Sequence, residues 1–357
     1  MRKLEIIGLM SGTSLDGVDL AHVEFELSDN QGHTFRLIHH ETYPFYPEIL
    51  DKLIDAPNYS VPAMCILDKE LGHFFADCVN NFIQKNNLQK KSIAAIASHG
   101  QTILHQPSNG FTLQIGCGST IAYETGICVV NDFRSRDIIA GGQGAPLVPI
   151  GDFGLFGGLA ESFLNIGGFS NISFRENDAI LAFDICPGNL PLNKLALSKG
   201  LKFDRNGEIA ASGEINFFLL DLLNSLEYYA LSGPKSLGTE WMDEYFYPLL
   251  KFDKEIENNL RTVVEHIAIQ ISQKLNENDL KSVFITGGGG KNNFLIERIA
   301  HYFNGEVVLP EAKLIDFKEA IVFAYLGALY LEKIPNALAS VTGAEKNTIC
   351  GVLHIVG

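Results

Sequence analysis

The sequence predicts an α/β protein made of two similar halves, each opening with a hairpin closed by glycine and small polar residues. Two apolar alternating runs, residues 4–9 and 18–27, flank the first loop, and residues 162–174 repeat the same order of apolar, glycine-rich and apolar segments. Helices and strands then follow in a similar order in both halves. One phosphate-binding hairpin from each half would face a common cleft, and the sequence therefore predicts ATP in that cleft.

Helices and strands alternate after each hairpin. The spacing of apolar residues predicts helices over residues 60–86, 256–276 and 317–332, the first begun by Ser60 and Pro62. Apolar runs predict strands at residues 92–98, 179–183 and 282–286. This alternation is typical of α/β domains, and 357 residues suffice for two of them.

Composition narrows the class of protein. The formal charge of −15 disfavours nonspecific binding to nucleic acid or to anionic membranes. No run of eighteen uncharged apolar residues occurs, so no membrane span is expected. The six cysteines form no Cys-x-x-Cys pair, which argues against a zinc or redox motif and fits a reducing cytoplasm. We therefore expect a cytoplasmic protein with a small-molecule ligand.

The first loop carries groups suited to phosphate. Its hydroxyls and glycines can bind an anion through O–H and backbone N–H groups, and its two carboxylates can hold a cation through water. The predicted phosphate-binding residues are Ser11, Gly12, Thr13, Ser14, Leu15, Asp16, Gly17, Val18 and Asp19, with Asp16 and Asp19 as the metal candidates. A Walker-type motif is absent, and a hairpin clamp is the better description. The same composition also fits an ordinary hairpin turn.

Two further glycine clusters extend this pattern. Gly167 and Gly168 lie in the second hairpin, and residues 287–290 lie between the strand Ser282–Thr286 and a helix that Asn292 or Asn293 could cap. Gly287, Gly288, Gly289 and Asn292 are therefore assigned to the nucleotide as well. A single strand-glycine-helix junction is often only a tight turn, whereas three glycine clusters in one chain favour a binding role.

Asp184 is the candidate general base. It ends the apolar run 179–183 and precedes a Pro-Gly-Asn turn, and a carboxylate at the carboxyl end of a strand faces the ligand cleft of an α/β fold. The alternative, an aspartate that caps the turn through its own backbone, is equally compatible with the sequence. His99 and Arg134 are candidates for ligand contact, although Arg134 could instead pair with Asp132 or Asp137.

These residues carry a family resemblance. Residues 8–19 closely resemble the N-terminal signature of the anhydro-N-acetylmuramic acid kinases. Further blocks match in order along nearly the whole chain: residues 98–102, 131–134, 140–149, 164–168, 170–172, 233–236, 287–292 and 340–344.

The resemblance implies two actin-like, ribonuclease H-like domains around ATP. It implies a Mg²⁺-ATP reaction in which water opens the ring of a 1,6-anhydro sugar from recycled peptidoglycan while O6 is phosphorylated, giving N-acetylmuramic acid 6-phosphate. Asp184 aligns with the catalytic aspartate; Arg134, Gln101, His99 and Glu319 are assigned to the sugar. The family also suggests a homodimer, and a division into residues 1–135 with 340–357, and 136–339.

The chain departs from the family pattern on the sugar side. Ile185 and Cys186 stand where the family usually has Thr-Gly, Asn193 replaces an aspartate, Asp152 replaces a histidine, and Cys117 replaces an aspartate. Losing polar groups near a base can change its pKa. Two alternatives therefore stay open: a kinase of the same fold for a related amino sugar, and a non-catalytic ATP-binding scaffold.

Overall fold

A computed structural model describes residues 2–12, 14–28, 32–177, 179–231 and 235–356. It contains two compact units, Met1–Phe156 with Phe317–Gly357, and Gly157–Asp316. None of the helices in these described ranges is long and apolar enough to cross a membrane.

The strands and helices alternate along the chain. The strands are β1 Arg2–Ser11, β2 Val18–Leu27, β3 Thr34–Tyr43, β4 Ile93–Ser98, β5 Gln101–Gln106, β6 Phe111–Ile115, β7 Val129–Asn131, β8 Ser162–Ile166, β9 Phe169–Glu176, β10 Ala179–Pro187, β11 Ser282–Thr286, β12 Glu306–Val308 and β13 Val352–His354. The α-helices are α1 Pro47–Asp55, α2 Val61–Lys85, α3 Gly118–Thr125, α4 Ser135–Ile139, α5 Val148–Leu155, α6 Asn189–Leu197, α7 Glu208–Ser212, α8 Phe217–Asn224, α9 Thr239–Trp241, α10 Ile256–Glu277, α11 Asn293–Tyr302, α12 Ala312–Leu331 and α13 Ala339–Thr342.

Both units are built on a sheet of the same topology. The first sheet has the order β13-β7-β4-β1-β2-β3, and the second has β10-β9-β8-β11-β12. In each sheet the first three strands in sequence are antiparallel, and the next two pair in parallel. Numbered within its sheet, each set of five strands therefore runs 3-2-1-4-5, the ribonuclease H-like arrangement, and β13 adds a sixth strand to the first sheet. The predicted α/β fold class with two such units is confirmed.

The predicted elements lie close to their observed positions. Helix α2 begins after Ser60, whose hydroxyl accepts the backbone N–H of Ala63, and Pro62 occupies its first turn. Strand β11 has its predicted bounds, whereas β10 continues beyond residue 183 to Pro187. A bulge between Asp184 and Cys186 interrupts its pairing with β9. Asp184 thus lies within a strand rather than at the end of one.

Helix α12 explains where the units divide. It packs against β1, where a Cβ atom on Gly8 would lie 1.9 Å from the carbonyl oxygen of Ala320. On another side, α5 approaches it so closely that Cβ atoms on Gly151 and Gly154 would lie 2.5 Å from Val322 and Tyr325. Residues 136–156 and 317–339 therefore belong to the first unit, which differs from the predicted division at 135 and 340. Strand β13 also joins this unit by pairing with β7.

Replacing Gly8 with alanine tests the contact between β1 and α12. The added methyl group meets a backbone carbonyl that cannot rotate away, so we expect a loss of about 1–3 kcal/mol or more in the free energy of unfolding. Urea unfolding followed by circular dichroism measures it. Gly158→Ala is the control, because no atom lies within 4 Å of a Cβ at that position. Equal stability of Gly8→Ala and the native protein would contradict this packing.

Candidate functional site

The predicted phosphate loop joins β1 and β2 as a tight turn. Leu15 has a φ of 56° and Gly17 a φ of 153°, and the N–H of Leu15 bonds to the carbonyl of Gly12 at 3.3 Å. Gly17 is required here, because a Cβ atom would lie 2.7 Å from the carbonyl oxygen of Tyr43. The loop is therefore a hairpin tip with no helix after it, as predicted. Thr13 lies outside the described residues.

The two carboxylates of the loop accept hydrogen bonds from neighbouring hydroxyls. Ser14 Oγ donates to Asp16 Oδ1 at 2.7 Å, and Thr42 Oγ1 donates to Asp19 Oδ1. Among the described residues, no group of three or more His, Cys, Asp or Glu side chains gathers as a metal site. Each carboxylate thus accepts a hydrogen bond from a hydroxyl.

Ser11 and Gln101 hold the end of β1 against the following segment of the unit. The hydroxyl of Ser11, which is fully buried, donates to Gln101 Oε1, and the backbone N–H of His99 donates to the carbonyl of Leu9 at 2.9 Å. Gly100 has a φ of 73°, and a Cβ there would lie 2.7 Å from the carbonyl oxygen of Ile115. The loop after β4 is therefore shaped around the end of β1.

His99 and Arg134 form a buried pair whose protons can be assigned. Arg134 Nη2 lies 2.9 Å from His99 Nε2, and His99 Nδ1 lies 3.1 Å and 2.8 Å from the carbonyl oxygens of Ser11 and Gly100. Because a guanidinium only donates, Nε2 accepts and Nδ1 carries the proton. Burial lowers the pKa of His99 to about 3, and the charge of Arg134 lowers it as well. His99 is a neutral imidazole.

Arg134 does not pair with the aspartates beside it. Asp132 accepts the backbone N–H of Ser135, and Asp137 accepts the N–H of Gly144 and the hydroxyl of Thr342. Arg134 Nη1 instead donates to the carbonyl of Gly144 at 2.7 Å. Its buried Nε has no hydrogen-bond partner in the part of the chain that the structure describes. A donor of the guanidinium is thus left for a ligand.

Glu319 is the acidic residue whose charge acts on the pKa of Arg134. Burial lowers the pKa of Arg134 to about 10, and the charge of Glu319 acts in the opposite direction. Loss of hydration raises the pKa of Glu319, Lys318 and Arg134 lower it, and Asp16 and Asp152 raise it. The side chain of Glu319 is nevertheless open to solvent. It can therefore meet a ligand beside both Arg134 and the phosphate loop.

The glycines of the second unit form one surface. The backbone N–H groups of Gly188 and Asn189 donate to the carbonyls of Gly168 and Gly167 at 2.8 Å. Gly287 has a φ of 82°, and a Cβ on Gly289 would lie 2.2 Å from the side chain of Ile166. The hairpin β8-β9 and the turn after β11 therefore lie against each other.

Two of the other predicted nucleotide residues complete this surface. Gly288 approaches the amide of Asn189, with 3.4 Å between a Cβ on Gly288 and Asn189 Nδ2. Asn292 caps α11, accepting the backbone N–H of Leu295 at 3.1 Å. The structure thus brings Gly167, Gly168, Gly287, Gly288 and Gly289 together, with Asn292 directly after them.

Asp184 is half-buried and held from three directions. Its carboxylate accepts the backbone N–H of Leu237 at 2.9 Å, its own N–H donates to the carbonyl of Lys235 at 3.0 Å, and Tyr228 Oη donates to its carbonyl at 2.7 Å. The carboxylate is therefore bonded to a distant segment, not to the following turn. Burial raises the pKa of Asp184, and the bond from Leu237 lowers it. A carboxylate of raised pKa suits proton transfer near neutral pH.

The residues that depart from the family pattern have definite surroundings. Ile185 and Cys186 are buried in the core of the second unit. Lys69 Nζ donates to Cys117 Sγ at 2.8 Å, which lowers the pKa of that thiol although burial raises it. Asp152 forms a buried ion pair with Lys318, with 2.6 Å between Oδ1 and Nζ. Asn193 is half-buried in α6.

Sequence reasoning missed residues that support the site. Lys318 directly precedes Glu319 at the start of the apolar run 320–331, a signal that could have been noticed. Tyr228, Lys235 and Leu237 hold Asp184. Lys235 lies in the matched block 233–236, but the distance of all three from Asp184 along the chain left no local signal for this role.

The chain matches a known protein family over nearly its whole length. The family model described as anhydro-N-acetylmuramic acid kinase matches residues 4–355. The chain belongs to the anhydro-N-acetylmuramic acid kinase family. Membership confirms the predicted recognition and the predicted enzyme class, a phosphotransferase with an alcohol group as acceptor. It does not favour the non-catalytic scaffold.

Relatives of the family resemble the chain over nearly its whole length. The anhydro-N-acetylmuramic acid kinase of Legionella pneumophila (strain Paris) is 37% identical, over 98% of this chain and 97% of its own length. That of Shewanella baltica (strain OS185) is 39% identical, over 98% of each. A solved structure, the activator of the 2-hydroxyisocaproyl-CoA dehydratase from Clostridium difficile with bound ADPNP, has a TM-score of 0.46 at 12% identity, over 92% of this chain and 97% of its own.

The neutral state of His99 can be tested by titration. We expect the Arg134→Gln variant to raise the pKa of His99 while leaving it below the ordinary value, because the guanidinium charge is lost and burial remains. Nitrogen chemical shifts of ¹⁵N-labelled histidine measure the protonation state and the tautomer. As the pH falls, His99 takes up a proton in the unfolded chain near pH 6.5, but in the folded chain only near pH 3. The contribution of His99 to stability is therefore present above about pH 6.5 and is lost as the pH falls toward 3. A native His99 that is protonated at pH 6 would contradict the assignment.

Proposed function

We propose that the enzyme uses ATP to open the 1,6-anhydro ring of 1,6-anhydro-N-acetylmuramic acid with water and to phosphorylate O6, giving N-acetylmuramic acid 6-phosphate in peptidoglycan recycling. Membership of the family supports the substrate. The observation that carries the chemistry is Asp184, a half-buried carboxylate of raised pKa whose position is held by Leu237 and Tyr228.

In the proposed reaction, Asp184 acts as the general base. It removes a proton from a water molecule whose oxygen forms a bond to C1 of the sugar. The bond between C1 and O6 breaks, and O6 forms a bond to the γ-phosphorus as the bond to ADP breaks. The proton on Asp184 then passes to solvent. The bond from Leu237 to one carboxylate oxygen leaves the other to face the water.

The proposed nucleotide contacts come from both units. In the first, the backbone and hydroxyls of residues 11–19 bind phosphate, and in the second Gly167, Gly168, Gly287, Gly288, Gly289 and Asn292 provide a side-chain-free surface and a helix start. Asp16 and Asp19 would hold Mg²⁺ through water, because carboxylate oxygens are the hard donors that Mg²⁺ prefers. When bound, Mg²⁺ neutralises phosphate charge.

The proposed sugar contacts lie in the first unit. The buried Nε of Arg134, which has no hydrogen-bond partner among the described residues, supports a bond to the sugar or its lactyl carboxylate. Glu319 lies where Arg134 and Asp16 both influence it. His99, as a neutral acceptor, orients Arg134, and Gln101 binds Ser11 at the end of the phosphate loop. His99 and Gln101 thus hold Arg134 and Ser11, respectively, in position.

A kinase for a related amino sugar is the second candidate. The ion pair between Asp152 and Lys318 favours it, because it puts charges directly beside Glu319 where the family usually has a histidine.

We also propose a cytoplasmic homodimer, as the family suggests.

Substrate screening distinguishes the two candidates. Release of ADP from Mg²⁺-ATP is measured with 1,6-anhydro-N-acetylmuramic acid, N-acetylmuramic acid, N-acetylglucosamine and no sugar, and the product is identified by ³¹P NMR. We expect release only with the anhydro sugar and a 6-phosphate product, because the proposed reaction makes O6 a nucleophile by breaking the C1–O6 bond, which the other two sugars lack. Faster release with another amino sugar would favour the second candidate.

The role of Asp184 is tested by Asp184→Asn. The amide keeps an oxygen that can accept the N–H of Leu237 but cannot take a proton, so we expect kcat to fall by about 100-fold or more. Binding of an ATP analogue, measured by calorimetry, should be nearly unchanged. Asp279→Asn is the matched control, because Asp279 is an exposed carboxylate of the same unit, paired with Lys281. Turnover retained in Asp184→Asn would rule out a general base at this position.

A further inference from the structure

A polar cavity of about 280 Å³ lies in the second unit, apart from the glycine surface. It opens between α10, the end of α8 and the segment that holds Asp184. Its lining includes the polar side chains Asn224, Lys235, Gln270, Gln273, Lys274 and Glu277. None of the roles proposed above uses this cavity.

The charges around the cavity are unbalanced. Two ammonium groups, Lys235 and Lys274, share it with the single carboxylate of Glu277, which lies 2.6 Å from Lys274 Nζ. Burial lowers the pKa of Lys235, and the charge of Lys274 lowers it further. The two cations therefore repel each other inside a chain whose formal charge is −15. A bound anion would relieve that repulsion.

The neutral groups of the lining suit the same ligand. The amide of Gln273 donates to Glu277, and the amide of Gln270 donates to Asn224 at 3.0 Å. Each of these amides has a second N–H, and N–H groups close to two cations provide the donors that phosphate and carboxylate oxygens accept. Lys274 and Glu277 are partly exposed, so a ligand can enter from solvent.

The cavity is connected to Asp184 through the backbone. Lys235 Nζ donates to the carbonyls of Tyr228 and Leu231 at 2.8 Å and 3.1 Å. The carbonyl of Lys235 accepts the N–H of Asp184, and Tyr228 Oη donates to the carbonyl of Asp184. An anion that attracts Lys235 away from these carbonyls would thus act on the segment that orients Asp184.

We propose that this cavity is a binding site for a small oxyanion, a phosphate monoester or a carboxylate of metabolite size, and that its occupation changes turnover by acting on the segment that holds Asp184. The turnover part rests on the proposed function, whereas the binding part does not.

The fluorescence of Trp241 can report on ligand binding in the cavity, because its ring contacts Tyr229, which lines the cavity. It is the single tryptophan of the chain, and its ring centroid lies 5.5 Å from that of Tyr228 and 6.4 Å from that of Tyr229. Its fluorescence can be followed while inorganic phosphate is added to the full-length protein. A saturating non-hydrolysable ATP analogue with Mg²⁺ is present throughout, so that phosphate does not report binding at the nucleotide loops.

Charge variants identify the site. Lys274→Gln removes a cation and should weaken phosphate binding by about 10-fold or more, which a two-charge site in partly shielded surroundings implies. Glu277→Gln removes the competing carboxylate and should tighten binding. Lys281→Gln is the control, because Lys281 is an exposed lysine outside the cavity. This variant should bind phosphate as tightly as the native protein does. Circular dichroism confirms that the variants fold.

The remaining arms separate the ligand classes and the coupling. Glucose 6-phosphate and lactate should compete with phosphate, and the tighter of the two identifies the source, whereas neutral glucose should not compete. In the native enzyme, phosphate should change kcat with the same half-saturation as the fluorescence, and Lys274→Gln should abolish that change. No saturable fluorescence change, or equal affinity in Lys274→Gln and Lys281→Gln, would overturn the site. A fluorescence change without any effect on kcat would overturn the coupling.

Discussion

The close packing of α12 on β1 is the constraint on which the first unit depends. Since Gly8 has no side chain, the helix backbone reaches the strand at Ala320, the residue directly after Glu319. The same strand ends at Ser11, where the phosphate loop begins. The contact between Gly8 and Ala320 thereby sets the position of the Glu319 carboxylate relative to the phosphate loop.

Charge in this unit is controlled by burial and by fixed partners. Arg134 donates to a neutral His99 rather than to a carboxylate, so its positive charge is not neutralised by an adjacent aspartate. Asp152 and Lys318 neutralise each other in the core. A buried ion pair adds little net stability, but removing one partner leaves an uncompensated charge, so the pair is expected to be kept together. The groups left to meet a ligand are therefore few.

In the second unit the glycines and Asp184 are positioned by different means. Gly287 and Gly289 are required because Ile166 and its carbonyl leave no space for a side chain. Asp184 is oriented by backbone bonds from a segment far along the chain, and the bulge in β10 displaces it from regular pairing. Rigid packing brings the glycine surface together, and a hydrogen-bonded segment that borders a solvent-accessible cavity orients Asp184.

The sequence alone determined the long helices α2, α10 and α12, the strands β4 and β11, the glycine clusters, the cap at Ser60 and the family, because periodicity, capping and motif blocks are local properties of the chain. The tertiary structure decided the rest. It extended β10 through Asp184, gave Asp132 and Asp137 partners other than Arg134, and set the tautomer of His99. The partner of Asp132 and one partner of Asp137 are local, but the bonds of Arg134 to His99 and of Thr342 to Asp137 join distant parts of the chain, and burial is defined only by the packed chain. Periodicity and motifs in the sequence do not identify distant hydrogen-bond partners.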